Sequence, residues 1–289
     1  MSASGWKRGD RNGLEVVELA TASSTCTIAL HGAQVLSFAP RGERDWLWVS
    51  DRAVFAAGKA LRGGIPICFP WFGPHAQDRS LPAHGFARTR LWRLAGVDEI
   101  GANELRARLE LASDPETARL FPHPFVARLA VTAGDALELA FEVENPGEAP
   151  FAFELALHTY FAVADAGGAA VAGLDGCAYL DKVDGGARRR EGAAPVRFTG
   201  EVDRVYECSG PVTLADPAGG RTLRIEGEGA GSTVVWNPGA AKTRTLADIS
   251  PEGYRGFVCV ETGRIGDQRV TLPPGGRHEI RVRYARSAA

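Results

Sequence analysis

The chain has 289 residues, 45% of them hydrophobic and 24% charged, the balance of an ordinary soluble globular protein with ample chain for a large core. A formal net charge of -2 argues for neither a nucleic-acid nor a membrane partner, so any grip on an anionic ligand has to be local. No apolar run is long enough to span a bilayer, and MSASGWKRGDRNGLEVVEL has no long apolar core behind its basic residues, so a cytoplasmic monomer is expected.

Thirty-five glycines and 17 prolines fall between short runs of alternating or β-branched apolar residues, the punctuation of an all-β protein. The pattern predicts strands at LEVVEL from Leu14, TCTIAL from Thr25, AQVLSF from Ala33 and WLWV from Trp46, then LWRLAGV from Leu91 and ELRARLEL from Glu104. FVARLAVT from Phe125 and ALELAFEVEN from Ala136 flank a glycine-containing link that marks a hairpin. After the strand FELALHTYF from Phe153, residues 164–201 read as loop-rich, followed by strands at TLRIEGEG, STVVWNP, FVCVET and HEIRVRYA. Only PETARLF from Pro115 and AAKTRTLADI from Ala240 look helical. No repeat and no Gly/Ser/Pro-rich linker divides the chain, so residues 1–289 read as one domain. Five scattered cysteines (Cys26, Cys68, Cys177, Cys208, Cys259), odd in number and without a CxxC pair, disfavour a disulfide framework or a structural zinc and read as small buried hydrophobes.

FELALHTYF organises the rest. Strand alternation puts Phe151, Phe153, Leu155, Leu157 and Phe161 on one side, and Ala152, Glu154, Ala156, His158 and Tyr160 on the other. Small alanines beside titratable groups describe the floor of a pocket, although a lone histidine is more often satisfied inside a core. Residues 58–75, GKALRGGIPICFPWFGPH, and the following LPAHGFARTRLW form an irregular stretch. There Gly63 and Gly64 free the backbone to turn or approach a ligand, while Pro66, Pro70 and Pro74 stiffen the path. Arg62, His84, Arg88 and Arg90 are interleaved with its aromatics.

Familiar constellations fail on context. GEGAG from Gly227 leads into a strand, not a helix, so a dinucleotide fold is excluded, and there is no Walker loop, GxSxG elbow or HExxH spacing. The arginines at 188–190 read as a solvated loop face. What remains is an acid/base pair from distant strands, His158 and Glu261. Phe257, Cys259 and Glu261 share a face, so the carboxylate sits where an apolar strand meets a cleft, and desolvation would raise its pKa toward that of a useful general base. Such a pair, without nucleophile or metal, suits proton transfer at a sugar or carbonyl. A non-catalytic carbohydrate-binding sandwich is the alternative, and it would not need Glu261.

The segments LRGGIPICFPWFG, HGFAR, ELALHTYF, DRVY from Asp203, and WNPG followed by GYRGFVCVE closely resemble, in order, the hexose-6-phosphate mutarotases. These are the glucose-6-phosphate 1-epimerase branch of the aldose 1-epimerase family. The resemblance implies a galactose mutarotase-like β-sandwich (supersandwich), no cofactor, and interconversion of the anomers of a phosphorylated aldohexose, glucose 6-phosphate first. Free aldoses are the alternative substrates. It makes His158 the catalytic acid and Glu261 the base, and it assigns Arg62, Arg88 and Asp203 to substrate binding, with His84 as a further pocket group. Arg62 and Arg88 are expected to hold the phosphate. Ala83 stands where relatives often carry Gln before HG, which removes one expected polar contact.

Overall fold

Alternation builds most of this structure. Along Glu104–Ala112 every second residue, from Leu105 to Leu111, is buried, and Leu137–Glu144 repeats the pattern with Leu137, Leu139, Phe141 and Val143. Each such strand has one apolar and one wet face, and can hide the apolar face only against another layer. The computed structural model, which describes residues 5–101 and 103–287, solves this with stacked antiparallel sheets.

The largest sheet has nine strands. Their order is Val196–Arg197, Ala170–Ala172, Val212–Asp216, Arg221–Glu228, Arg277–Arg286, Leu137–Glu144, Val126–Ala133, Glu104–Ala112 and Arg93–Gly101. The hairpin expected around Gly134 is present, with Ala133 paired to Leu137. An eight-stranded sheet runs from Ala187–Arg190 through Ala178–Asp181, Val202–Tyr206, Ser232–Asn237 and Phe257–Arg264 to Leu155–Leu157 and Ile67–Cys68. Tyr160–Ala162 also pairs with Phe257–Arg264. A four-stranded meander, Gly5–Arg11 to Gln34–Pro40, and the small pair Phe151–Phe153 with Val270–Leu272 complete the set.

The eight-stranded sheet positions the site because it is covered on both faces. Phe257–Arg264 is buried at every position but its last. Val258 and Val260 join Leu155, Leu157 and Phe161 in the main core against the other layers, while Phe257, Cys259 and Tyr160 form a separate cluster on the opposite face. Ala156, Cys68, Val205 and Val234 make a second small cluster there. The alternation read from FELALHTYF therefore holds.

The strand itself is broken. Leu155–Leu157 and Tyr160–Ala162 are separate pieces, with the Thr159 N–H turned back to the Leu157 carbonyl at 3.0 Å, while the N–H groups of Glu154, His158 and Tyr160 carry the ladder on to the carbonyls of Pro70, Pro66 and Gly64. The proline-rich loop thus runs beside the strand as an acceptor rail, a role proline can fill since it lacks only the donor. Gly63 and Gly64 serve backbone packing and not a ligand: at φ 114° and 61°, a Cβ on either would sit 2.4 Å or less from the Trp48 and Val49 or Val35 backbone.

Several expectations need correction. WLWV forms only isolated bridges, Leu47 to Phe161 and Val49 to Gly63, because its neighbours belong to two different segments. Residues 164–201 contain four short strands, whose two to four residues are too few to show a period. The three arginines lie on one of them, the exposed edge strand Ala187–Arg190, with Arg188 and Arg189 paired to Glu207 and Asp184. The strand Gly5–Arg11 is not among those expected, because Trp6 is its one apolar side chain and no alternation marks it. Helices are present at both expected places but span only Thr117–Leu120 and Gly239–Thr243. Cys26, Cys68 and Cys259 are buried thiols as expected, whereas Cys177 and Cys208 form a disulfide that joins the segment before Ala178–Asp181 to the one after Val202–Tyr206.

Candidate active site

Strand register alone lays out two rows of side chains on the face of the eight-stranded sheet that points away from the main core. Directly opposed residues in an antiparallel ladder point the same way. Asp203 opposes Trp236, Trp236 opposes Cys259, and Cys259 opposes Tyr160. Val205 opposes Val234 and Val234 opposes Glu261, while continuation of the Leu157–Thr262 pairing brings His158 opposite Glu261. Residues more than a hundred positions apart in the chain thus become neighbours.

His158 Nε2 lies 3.3 Å from Glu261 Oε1, with both side chains almost fully buried. The remaining polar atoms of the pair, His158 Nδ1 and Glu261 Oε2, are buried without a partner. Burial pushes the Glu261 carboxyl well above its ordinary value and the Asp203 charge adds to this, while Lys182 and Arg88 oppose it. Burial also pushes His158 well below the ordinary imidazole value, helped by His84, Arg88 and Arg62. Both groups are therefore held toward their neutral forms, and their titrations belong to the pair.

Tyr160 fixes the imidazole plane from one side. The two rings stack with centroids 4.8 Å apart and planes 8° from parallel. The phenol oxygen in turn accepts a 2.8 Å bond from Arg62 Nη1, and Arg62 Nε donates to Asp248 at 3.0 Å. Tyr160 and Asp248 raise the Arg62 pKa against the cost of burial, so this guanidinium stays charged. Trp236 meets His158 edge-on, and Trp48 stacks on Phe257 at 4.3 Å, giving two half-buried indoles beside the pair.

His84 closes the other side. Its backbone has φ 64°, the left-handed region that costs a non-glycine residue about 1–3 kcal/mol. Its ring lies 5.6 Å from that of His158. Its Nδ1 accepts a bond from the Gly73 N–H at 3.3 Å and touches Cys68 Sγ at 3.4 Å, which leaves the ring proton of the neutral form on Nε2. Burial, then Arg88, Lys182 and Arg62, push its pKa well down. Arg88 stands on the short 3-10 turn Ala87–Thr89, donates Nη2 to the Ala83 carbonyl at 2.8 Å, and has a buried Nε without a partner. Asp203 is half-buried, and desolvation raises its pKa.

Of the six residues singled out in the sequence, His158, Glu261 and Asp203 share one face of the sheet by register, His84 meets His158 ring to ring, Arg88 reaches the Ala83 carbonyl next to His84, and Arg62 joins them through Tyr160. Glu154, expected on the pocket side, instead ties down backbone, accepting from the N–H of Phe72 and of Gly266. Arg90 pairs with Glu116 away from this constellation. Sequence reasoning missed Lys182, Asp248 and Trp236. Trp236 had a usable signal, since it lies two residues from Val234 on an apolar strand, whereas Lys182 follows a strand too short to recognise.

A family model described as aldose 1-epimerase matches residues 15–285. A "Putative glucose-6-phosphate 1-epimerase" from Escherichia coli K12 is 38% identical over 250 residues, covering 85% of this chain and 82% of the relative. A protein of the same description from Cenchrus ciliaris is 35% identical over 287 residues, covering 96% and 85%. The crystal structure of a "putative mutarotase" from Salmonella typhimurium superposes with a TM-score of 0.91 at 32% identity, covering 98% of this chain and 94% of the other. A galactose mutarotase-like protein from Lactobacillus casei shares the fold at a TM-score of 0.72 and 18% identity, covering 94% and 100%.

Proposed function

The chain belongs to the aldose 1-epimerase family, and from that premise we propose that it interconverts the α and β anomers of a hexose 6-phosphate, glucose 6-phosphate first, with His158 and Glu261 as the catalytic pair. The observation that carries this reading is the buried contact between His158 Nε2 and Glu261 Oε1, 3.3 Å apart, with the outer atoms of both groups unpartnered.

Opening a hemiacetal requires two proton transfers. Glu261 removes the proton of the C1 hydroxyl as His158 gives one to the ring oxygen, and the C1–O5 bond breaks to leave an aldehyde at C1 and a hydroxyl at C5. Rotation about C1–C2 presents the other face. The reverse transfers close the ring, Glu261 returning its proton to the former carbonyl oxygen while His158 takes back the one on O5. No electrons leave the substrate, so acid/base groups suffice.

A reversible, nearly thermoneutral reaction works best when both protonation arrangements of the pair lie close in energy. In water the carboxylate–imidazolium form would dominate by about two pKa units. Burial works against that charge separation and brings the neutral arrangement nearer. Arg62, held by Asp248 and Tyr160, keeps the imidazole seat rigid. Asp203 accepts from a further hydroxyl, His84 donates through Nε2, and Trp48 and Trp236 offer the flat apolar surface a pyranose face needs. We place the enzyme in the cytoplasm because a phosphorylated sugar, carrying close to two negative charges, does not cross membranes unaided. Anomer exchange measured by NMR with glucose 6-phosphate and with free glucose tests the reading.

A further inference from the structure

The positive charges around the cleft are not equivalent. Arg62 is already compensated, since Asp248 takes its Nε and Tyr160 its Nη1. Arg88 has no carboxylate partner: among the described residues its one bond goes to the Ala83 carbonyl, and its Nε stays buried and unpaired. Lys182 is exposed and has no ion pair among the described residues. One step beyond the ladder pair Asp181–Arg204 it opposes Asp203, whose carbonyl accepts its backbone N–H at 2.8 Å, so it ends the row that continues through Trp236 and Cys259 to Tyr160.

The Lys182 side chain bends over the loop that carries Phe72 and Gly73. Its Nζ lies 4.8 Å from the Phe72 ring centroid and would be 3.8 Å from a Cβ on Gly73. Among the described residues it makes no ion pair, and the acids within its field, Asp203 and Glu261, stay outside ion-pair distance. Phe72 packs edge-on against His84 at 4.7 Å, so ammonium, ring and imidazole are stacked toward the catalytic pair. Arg88 reaches the Ala83 carbonyl next to His84, and Lys182 reaches the Phe72 ring that packs on His84, so both cations flank His84.

We propose that Lys182 joins Arg88 in holding the anionic group of the substrate, and that Lys182 is the residue that selects a sugar phosphate over a free sugar. This rests on the mutarotase reading above. The guanidinium supplies directed donors, and the flexible ammonium supplies a point charge that can follow the phosphate as the ring opens and closes. The surrounding protein has almost no net charge to contribute, so the two local cations carry the recognition.

The test is kcat/KM for anomer exchange of glucose 6-phosphate and of glucose in wild type, Lys182→Met and Lys182→Arg, with thermal melts of each. Lys182→Met should lose about tenfold to a hundredfold on glucose 6-phosphate, and less than about threefold on glucose. Lys182→Arg should recover most of the loss. Inorganic phosphate should compete with glucose exchange in wild type and about tenfold more weakly in Lys182→Met. Equal losses on both sugars, or an undiminished preference for the phosphosugar in Lys182→Met, would overturn the role of Lys182 while leaving the mutarotase reading intact. A wild type that turns over glucose as well as glucose 6-phosphate would overturn the phosphosugar reading itself, and the anion-holding role of Lys182 with it.

Discussion

Arg62→Ala separates a bracing arginine from a phosphate-binding one. Wild-type Arg62 bonds the hydroxyl of Tyr160, a side chain only 1% exposed, and pairs with Asp248, where the two side chains are 22% and 32% exposed. The substitution deletes a charge-assisted hydrogen bond to a buried phenol, about 1.5–3 kcal/mol. It also deletes a partly exposed ion pair, to which screening leaves no more than about 1 kcal/mol. The total, about 1.5–4 kcal/mol, corresponds to a drop of about 2–7 °C in Tm for a chain of this size. Because Tyr160 stacks on His158, the same change loosens the catalytic imidazole, and kcat/KM should fall by similar factors on glucose 6-phosphate and on glucose. Differential scanning fluorimetry and anomer exchange on both sugars provide the assay. An unchanged melt with a loss confined to the phosphosugar would refute this argument and return Arg62 to the phosphate.

The catalytic pair makes its own predictions. Glu261→Gln and His158→Asn should each lower exchange by about two to four orders of magnitude while sugar binding, followed by calorimetry, persists; retention of near wild-type rates in both folded variants would remove the acid/base assignment. The pH profile of kcat/KM should be a broad bell that belongs to the pair and not to either residue alone. Its acid limb, where the second proton adds, should lie below the ordinary histidine value because burial lowers His158. Its alkaline limb, where the pair loses its last proton, should lie well above the ordinary glutamate value because burial and Asp203 raise Glu261. Asp203→Asn, by removing a raising charge, should move the alkaline limb to lower pH; a shift to higher pH would contradict the electrostatic account.

How much of this was legible in the sequence follows from which signals are local. Period-2 alternation located Glu104–Ala112, Leu137–Glu144 and Arg277–Arg286, because each lays one face on the core. The same alternation separated Leu155 and Leu157 from Ala156, His158 and Tyr160 correctly. It could not show that the strand breaks after Leu157, since the break is a local turn of the Thr159 N–H back to the Leu157 carbonyl, which leaves the order of side chains along the strand unchanged. Short strands such as Ala178–Asp181 hold too few residues for any period, which hid both the Lys182 row and the Cys177–Cys208 pairing. Asp248 was lost inside a stretch read as helix, although that helix ends at Thr243. Charge compensation was invisible for a similar reason. Arg62 and Arg88 look alike in sequence, and only the contact with Asp248 tells them apart.

The most direct measurement is two-dimensional exchange NMR at C1 of glucose 6-phosphate at anomeric equilibrium, run with wild type, with Glu261→Gln and with buffer alone, and repeated on glucose. The account predicts that wild type raises the α/β exchange rate of the phosphosugar in proportion to enzyme concentration and far more than that of glucose, with Glu261→Gln close to buffer. Exchange at the buffer rate with folded wild type, or full acceleration retained by Glu261→Gln, would contradict it.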